Sequence, residues 1–109
     1  MAYDEELARR IDQELTGSGP IDQKKMFGGV CYLHNGNMLC GVHKEYLILR
    51  LGSVRGAEAL NEPGTRPFDI TGRPMKGWVM VEASAVAETS ALTEWIAQAR
   101  RFVEALPPK

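Results

Sequence analysis

The Asn35-Gly36 pair, set between two apolar runs, constrains this chain more than any other feature. A two-residue type I′ turn needs positive φ at both central positions, and Asn and Gly tolerate it. Val30-Cys31-Tyr32-Leu33 precedes the pair, and Met38-Leu39-Cys40-Gly41-Val42 follows it. These residues predict an antiparallel hairpin over 24–34 and 38–43. Both runs are nearly continuously apolar rather than alternating. Both faces of the sheet are therefore expected to be at least partly covered.

Further elements extend the hairpin. His43-Lys44-Glu45 reads as a turn, and Tyr46-Leu47-Ile48-Leu49-Arg50-Leu51 as a third strand rich in residues suited to a pleated surface. Residues 54–60 predict a short helix, capped by Ser53, with Ala57 and Leu60 inward. Phe68-Asp69-Ile70 reads as a short edge strand and Trp78-Val79-Met80-Val81-Glu82 as an internal one. At the N-terminal end, Leu7, Ile11 and Leu15 recur at helical spacing, so 4–16 form a helix with Asp4 as cap. At the other end, Leu92, Trp95, Ile96, Ala99, Phe102, Val103 and Leu106 make one wide apolar stripe over 89–106. Thr89 or Ser90 would cap this helix, and Pro107-Pro108 ends it. Strands joined by tight turns pair antiparallel, and the helices must bury their stripes on that sheet. The expected fold is a two-layer α+β domain of class α-βββ-α-β(β)-α. Its antiparallel sheet has four to five strands, with N-terminal and C-terminal helices. Its 109 residues make one domain, 1–109.

Composition removes several functional classes. Hydrophobic residues at 44% and charged residues at 25% are ordinary for a globular chain, not a disordered or disulfide-built one. No apolar run approaches the roughly 18–20 residues that span a bilayer, so no membrane role is expected. The acidic start, Met1-Ala2-Tyr3-Asp4-Glu5-Glu6, with no apolar stretch after it, is unlike a signal peptide. Two cysteines without an export signal fit a cytoplasmic, reduced setting. Thirteen bases oppose fourteen acids, for a net charge of −1. A nucleic-acid domain normally carries a basic stripe. Direct nucleic-acid binding is therefore expected to be weak or absent, and would have to use Lys24, Lys25, Arg50 and Arg73.

The chemical constellations are few. A two-residue turn at 35–36 makes paired positions sum to 71, so His34 faces Asn37, Leu33 faces Met38, and Cys31 faces Cys40. The last is a non-hydrogen-bonded pair with Cα atoms about 4.5 Å apart. Cys31 and Cys40 are thus a candidate redox pair, the alternative being two small, buried, reduced core residues. A zinc site from Cys31, His34, Cys40 and His43 fails, because Cys and His three apart on a strand point to opposite faces. No metal and no cofactor is expected. His34 and His43 border turns and read as solvated. No Gly-x-Ser-x-Gly elbow is present, and no base, nucleophile and orienter assemble, so no enzyme and no catalytic residue is expected. Met26-Phe27-Gly28-Gly29 is the sharpest local oddity. Two strand glycines mark a bulge or a close backbone approach. Met26, Phe27, Gly28 and Gly29, together with Trp78, are the candidate partner or ligand surface.

Lys24-Lys25-Met26-Phe27-Gly28-Gly29-Val30-Cys31-Tyr32, then Asn35-Gly36 and Met38-Leu39-Cys40-Gly41-Val42, resembles the opening signature of the TfoX/Sxy N-terminal domain family. Tyr46-Leu47-Ile48-Leu49-Arg50, Pro67-Phe68, Met75, Gly77-Trp78-Val79-Met80-Val81 and the helix from Leu92 to Ala99 resemble its later segments. The resemblance runs from about residue 4 to 106. It implies a compact α+β domain similar to secretion-chaperone-like or YgaC-like folds, in the cytoplasm of a bacterium. Full-length relatives of this kind regulate natural competence with the cyclic-AMP receptor protein and carry a helical C-terminal domain. A chain ending at Lys109 is expected to be a single-domain member without that second half. The family brings no established catalytic residues. The resulting expectation is a non-enzymatic interaction domain acting in transcriptional regulation through protein partners, namely transcription machinery or an activator. The uncovered sheet face is its expected contact surface, and a homodimer is one use of it. The alternative is a small-molecule or peptide binder with a pocket near Met26 to Gly29 and Trp78.

Overall fold

A computed structural model describes residues 3–17, 21–26, 29–69, 72 and 75–108. Asp4 accepts the amide of Leu7 through its side chain at 3.0 Å and starts α1, Glu5–Leu15. Four strands follow: β1, Ile21–Met26; β2, Gly29–His34; β3, Asn37–His43; and β4, Tyr46–Arg50. Then come α2, Ser53–Ala59; β5, Thr65–Pro67; β6, Trp78–Glu82; a short 3-10 turn, Ala83–Val86; and α3, Thr89–Glu104. The result is α+β, with six strands where the sequence suggested four to five. The stretch read as one strand over 24–34 is two, with Met26 opposite Gly29 and Ile21 opposite His34.

The sheet order is β1-β2-β3-β4-β6-β5, antiparallel throughout. After α2 the chain runs to the edge as β5, and β6 returns between β5 and β4. The edge strand is Thr65–Pro67 rather than the expected segment at Phe68, and Ile70 lies outside the described residues. Asn35 at φ 52 and Gly36 at φ 81 form the expected tight turn. It seats His34 opposite Asn37 and Leu33 opposite Met38.

One residue later the register slips. Tyr32 pairs with Cys40, and Cys31 with Gly41. Leu39 is the extra residue of a β-bulge, in which two residues of one strand oppose one of the other. The bulge brings both Leu39 and Cys40 into the core beneath the helices. The expected pairing of Cys31 with Cys40 is thereby corrected. Cys40 shares the helix face with Tyr32, and Cys31, one residue along β2, points to the other face.

The main core lies between the sheet and the helices. Leu7, Ile11 and Leu15 of α1 and Leu92, Trp95, Ile96, Ala99 and Val103 of α3 meet Val42, Leu47, Leu49, Val79 and Val81. The Tyr32 hydroxyl, buried here, donates to the Ala8 carbonyl at 3.1 Å. α3 starts after Glu88 and has no side-chain cap, unlike the expected Thr89 or Ser90. α2 likewise starts after Gly52, not at a Ser53 cap. It buries Gly56 and Ala59, whereas Ala57 and Leu60, expected inward, face solvent. Its inner face needs small residues because it sits directly on the backbone at Gly77: a Cβ on Gly56 would lie 2.9 Å from the Gly77 Cα. No helix among the described residues is long and apolar enough to cross a membrane.

Candidate functional site

The structure does not bring the candidate surface together. Phe27 and Gly28 lie outside the described residues, and Met26 is placed only by its backbone, opposite Gly29. Gly29 is buried, and a Cβ there would collide with the Val42 carbonyl oxygen. Close packing against β3 accounts for that glycine. Gly29 lies next to Val30, which pairs with Val42, at the end of the sheet formed by His43, Tyr46 and Glu82. Trp78 pairs with Arg50 at the opposite end of β6. Three strand spacings, roughly 14 Å, also separate the two positions across the sheet.

The uncovered sheet face is not free either. Phe68, 6% exposed, lies on Ile48 and Met80, with Met38, Tyr46 and Trp78 around them. Cys31 and Leu33 on the same face are also buried. Continuous apolar strands signalled cover on both sides, and here much of the second cover comes from the chain itself.

The cysteines are free and buried. Burial pushes both thiols above their ordinary value, with the charge of Cys31 adding to the effect on Cys40. The thiolate is the reactive form, so neither is poised for exchange. His34 contacts the Asn35 amide at 3.3 Å. His43 is not simply solvated, because its Nδ1 is buried without a hydrogen-bond partner among the described residues. Among the described residues no three His, Cys, Asp or Glu side chains gather as a metal site. Lys24 and Lys25 stand exposed on β1, Arg50 lies at the far side of the sheet, and Arg73 lies outside the described residues, so no common basic surface forms from them.

Trp78 instead belongs to a different cluster. The Arg50 guanidinium lies 5.4 Å from the Trp78 ring centroid and 5.8 Å from that of Phe102. Phe68 contacts the same indole at 5.7 Å between centroids, tilted by 36°. Beside them the Gly77 carbonyl accepts the amides of Leu51 at 2.7 Å and Gly52 at 3.2 Å. Gly52 has φ 88 and Gly77 φ 86, left-handed geometry that favours glycine. A Cβ on Gly52 would stand 2.7 Å from the Phe102 ring, so that glycine lets α3 close onto the end of β4. A cavity of about 160 Å³ opens here, lined by Arg50, Ser53, Lys76, Trp78 and Phe102 among others.

The family model of the TfoX N-terminal domain matches residues 13–103. The chain belongs to this family. The match takes in the end of α1, from Gln13 to Leu15, the whole sheet and nearly all of α3, and with them Arg50, Trp78 and Phe102. No curated protein and no solved structure matches this TfoX N-terminal domain significantly.

The sequence singles out Trp78, and the structure places it beside Arg50, Phe68 and Phe102 and away from Gly29. Sequence alone set Arg50 among nucleic-acid cations and Phe102 in the helix stripe. Gly52-Ser53 and Gly77-Trp78 were the available signal: two glycines, each just outside a strand, where backbones approach.

Proposed function

We propose that this TfoX N-terminal domain is a non-catalytic interaction module of the bacterial cytoplasm, acting in competence-type transcriptional regulation by holding a protein partner. The observation that carries the reading is the placement of its exposed large apolar side chains. Val54, 77% exposed, Leu60 and Met75 lie around α2 and the segment that packs against it. Val54, Ala57 and Leu60 follow one another at three-residue spacing on α2 and its last turn, so they share a flank. Solvated apolar groups gathered in this way mark interaction sites. Near-zero net charge suits a protein partner better than a polyanion.

The test is co-purification with a cyclic-AMP-receptor-type activator, with nuclease present, using the wild type and V54D. Val54 touches little, so V54D should keep the fold. Recovery by the wild type and loss in V54D is the expected outcome. Equal recovery by both, or recovery by neither, overturns the reading.

A further inference from the structure

Arginines that give up part of their hydration normally find acceptors, because a guanidinium carries five N–H donors and no acceptor of its own. Three of the half-buried arginines here obey that rule. Arg10 donates to the Val86 carbonyl at 2.6 Å, Arg55 to Gln98 and Glu62 at 2.6 and 2.7 Å, and Arg100 pairs with Glu104 at 3.3 Å. Arg50 is also half-buried, and it has no hydrogen-bond acceptor or carboxylate among the described residues. What it meets is a pair of rings, Trp78 and Phe102, which leave its donors without an acceptor among the described residues. Lys76 and Ser53 line the same cavity of about 160 Å³. Two cations and a hydroxyl around a small hollow suit a carboxylate or a phosphate, and a planar guanidinium binds either through two parallel hydrogen bonds.

A second hollow, of about 180 Å³, continues from the first. Both are lined by Ser53, Lys76, Gly77 and Trp78, but the second adds Ala57, Leu60, Pro67 and Met75, an apolar set. A polar head site and an apolar trough thus meet at one indole. We propose that this cleft binds a small amphipathic organic acid, its carboxylate or phosphate on Arg50 and Lys76 and its apolar body in the trough beneath α2. The trough shares Ala57, Leu60 and Met75 with the partner surface, and the two readings are told apart by residues that they do not share. V54D lies outside both hollows and tests the partner; Arg50→Gln tests the acid.

Titration of isotope-labelled protein with hexanoate and with hexyl phosphate, followed by NMR, tests the cleft and separates the two heads. Acetate and 1-hexanol serve as head alone and tail alone. Expected is a saturable shift of the Trp78 indole N–H and the Gly77 amide with at least one of the two acids. R50Q should weaken that acid at least about tenfold, the scale of one lost charge-assisted hydrogen bond. Acetate and hexanol should each bind at least about tenfold more weakly than the acid. Lys76→Ala, an exposed site, should weaken it about threefold and decides the matter should R50Q fail to fold. No saturable shift with either acid, equal affinity in wild type and R50Q, or hexanol binding as tightly as the acid would overturn the proposal.

Discussion

The two faces of the sheet carry matched chemistry and use it differently. Each holds one tryptophan, one arginine over its ring and one cysteine. On the helix face these are Trp95, Arg55 at 5.7 Å from its centroid, and Cys40; on the other face they are Trp78, Arg50 at 5.4 Å, and Cys31. Trp95 is buried and Arg55 is tied to Gln98 and Glu62, whereas Trp78 is half-buried and Arg50 has no acceptor among the described residues. The difference follows from what covers each face. Two long helices close the first and leave its polar groups to satisfy one another. Phe68 covers the centre of the second, and at its end the Arg50 guanidinium and the Trp78 indole are half-buried. One Arg–Trp pair is tied into side-chain hydrogen bonds, and the other is the element we propose for ligand binding.

The largest separation between the faces should appear on removing the indoles. Trp95→Ala should cost about 3–5 kcal/mol, a core aromatic's full loss, and Trp78→Ala about half of that. Urea unfolding of both variants checks it, and equal losses would break the comparison.

The thiols come next. Burial keeps Cys40 protonated to higher pH in the folded chain than in the unfolded one. Below the ordinary thiol value, about 8.5, both states hold the proton and the pH has no effect through this group. Above it the unfolded chain releases its proton first, so stability falls as pH rises, by about 1.4 kcal/mol per unit for one thiol. Unfolding free energies between pH 8 and 10 should show that fall, and Cys40→Ala should flatten it more than Cys31→Ala, whose thiol is less deeply set. A native-state thiol assay should label neither cysteine quickly.

The smallest effects concern the arginines, and there the comparison is sharpest. Arg55→Ala removes bonds to Gln98 and Glu62 and should cost about 1 kcal/mol, reduced by the partial exposure of its ion pairs. Arg50→Gln should cost less than Arg55→Ala, since it gives up ring contacts but no acceptor among the described residues loses a partner. A loss at Arg50 equal to that at Arg55 would mean that both pairs are structural.

Much of the architecture was legible in local chemistry. Asn35-Gly36 demands positive φ and so sets a hairpin, Asp4 caps the first helix, and the stripe from Leu92 to Val103 sets the last. Gly28-Gly29 reads in sequence as a bulge within one strand, whereas β1 ends at Met26 and β2 begins at Gly29. These features depend on a few neighbouring residues, and a sequence displays its neighbours. The remainder was settled at long range. One extra residue at Leu39 turned Cys31 and Cys40 to opposite faces, and pairing cannot reveal such a slip until both strands are packed. β6 entered between β4 and β5, which put Trp78 beside Arg50 and out of reach of Gly29. Arg50, Trp78 and Phe102 lie far apart along the chain, and only the closure of α3 over Gly52 brings their side chains to one cleft. Turn geometry and periodicity are properties of segments; register, strand order and the meeting of three distant side chains belong to the core that forms between them.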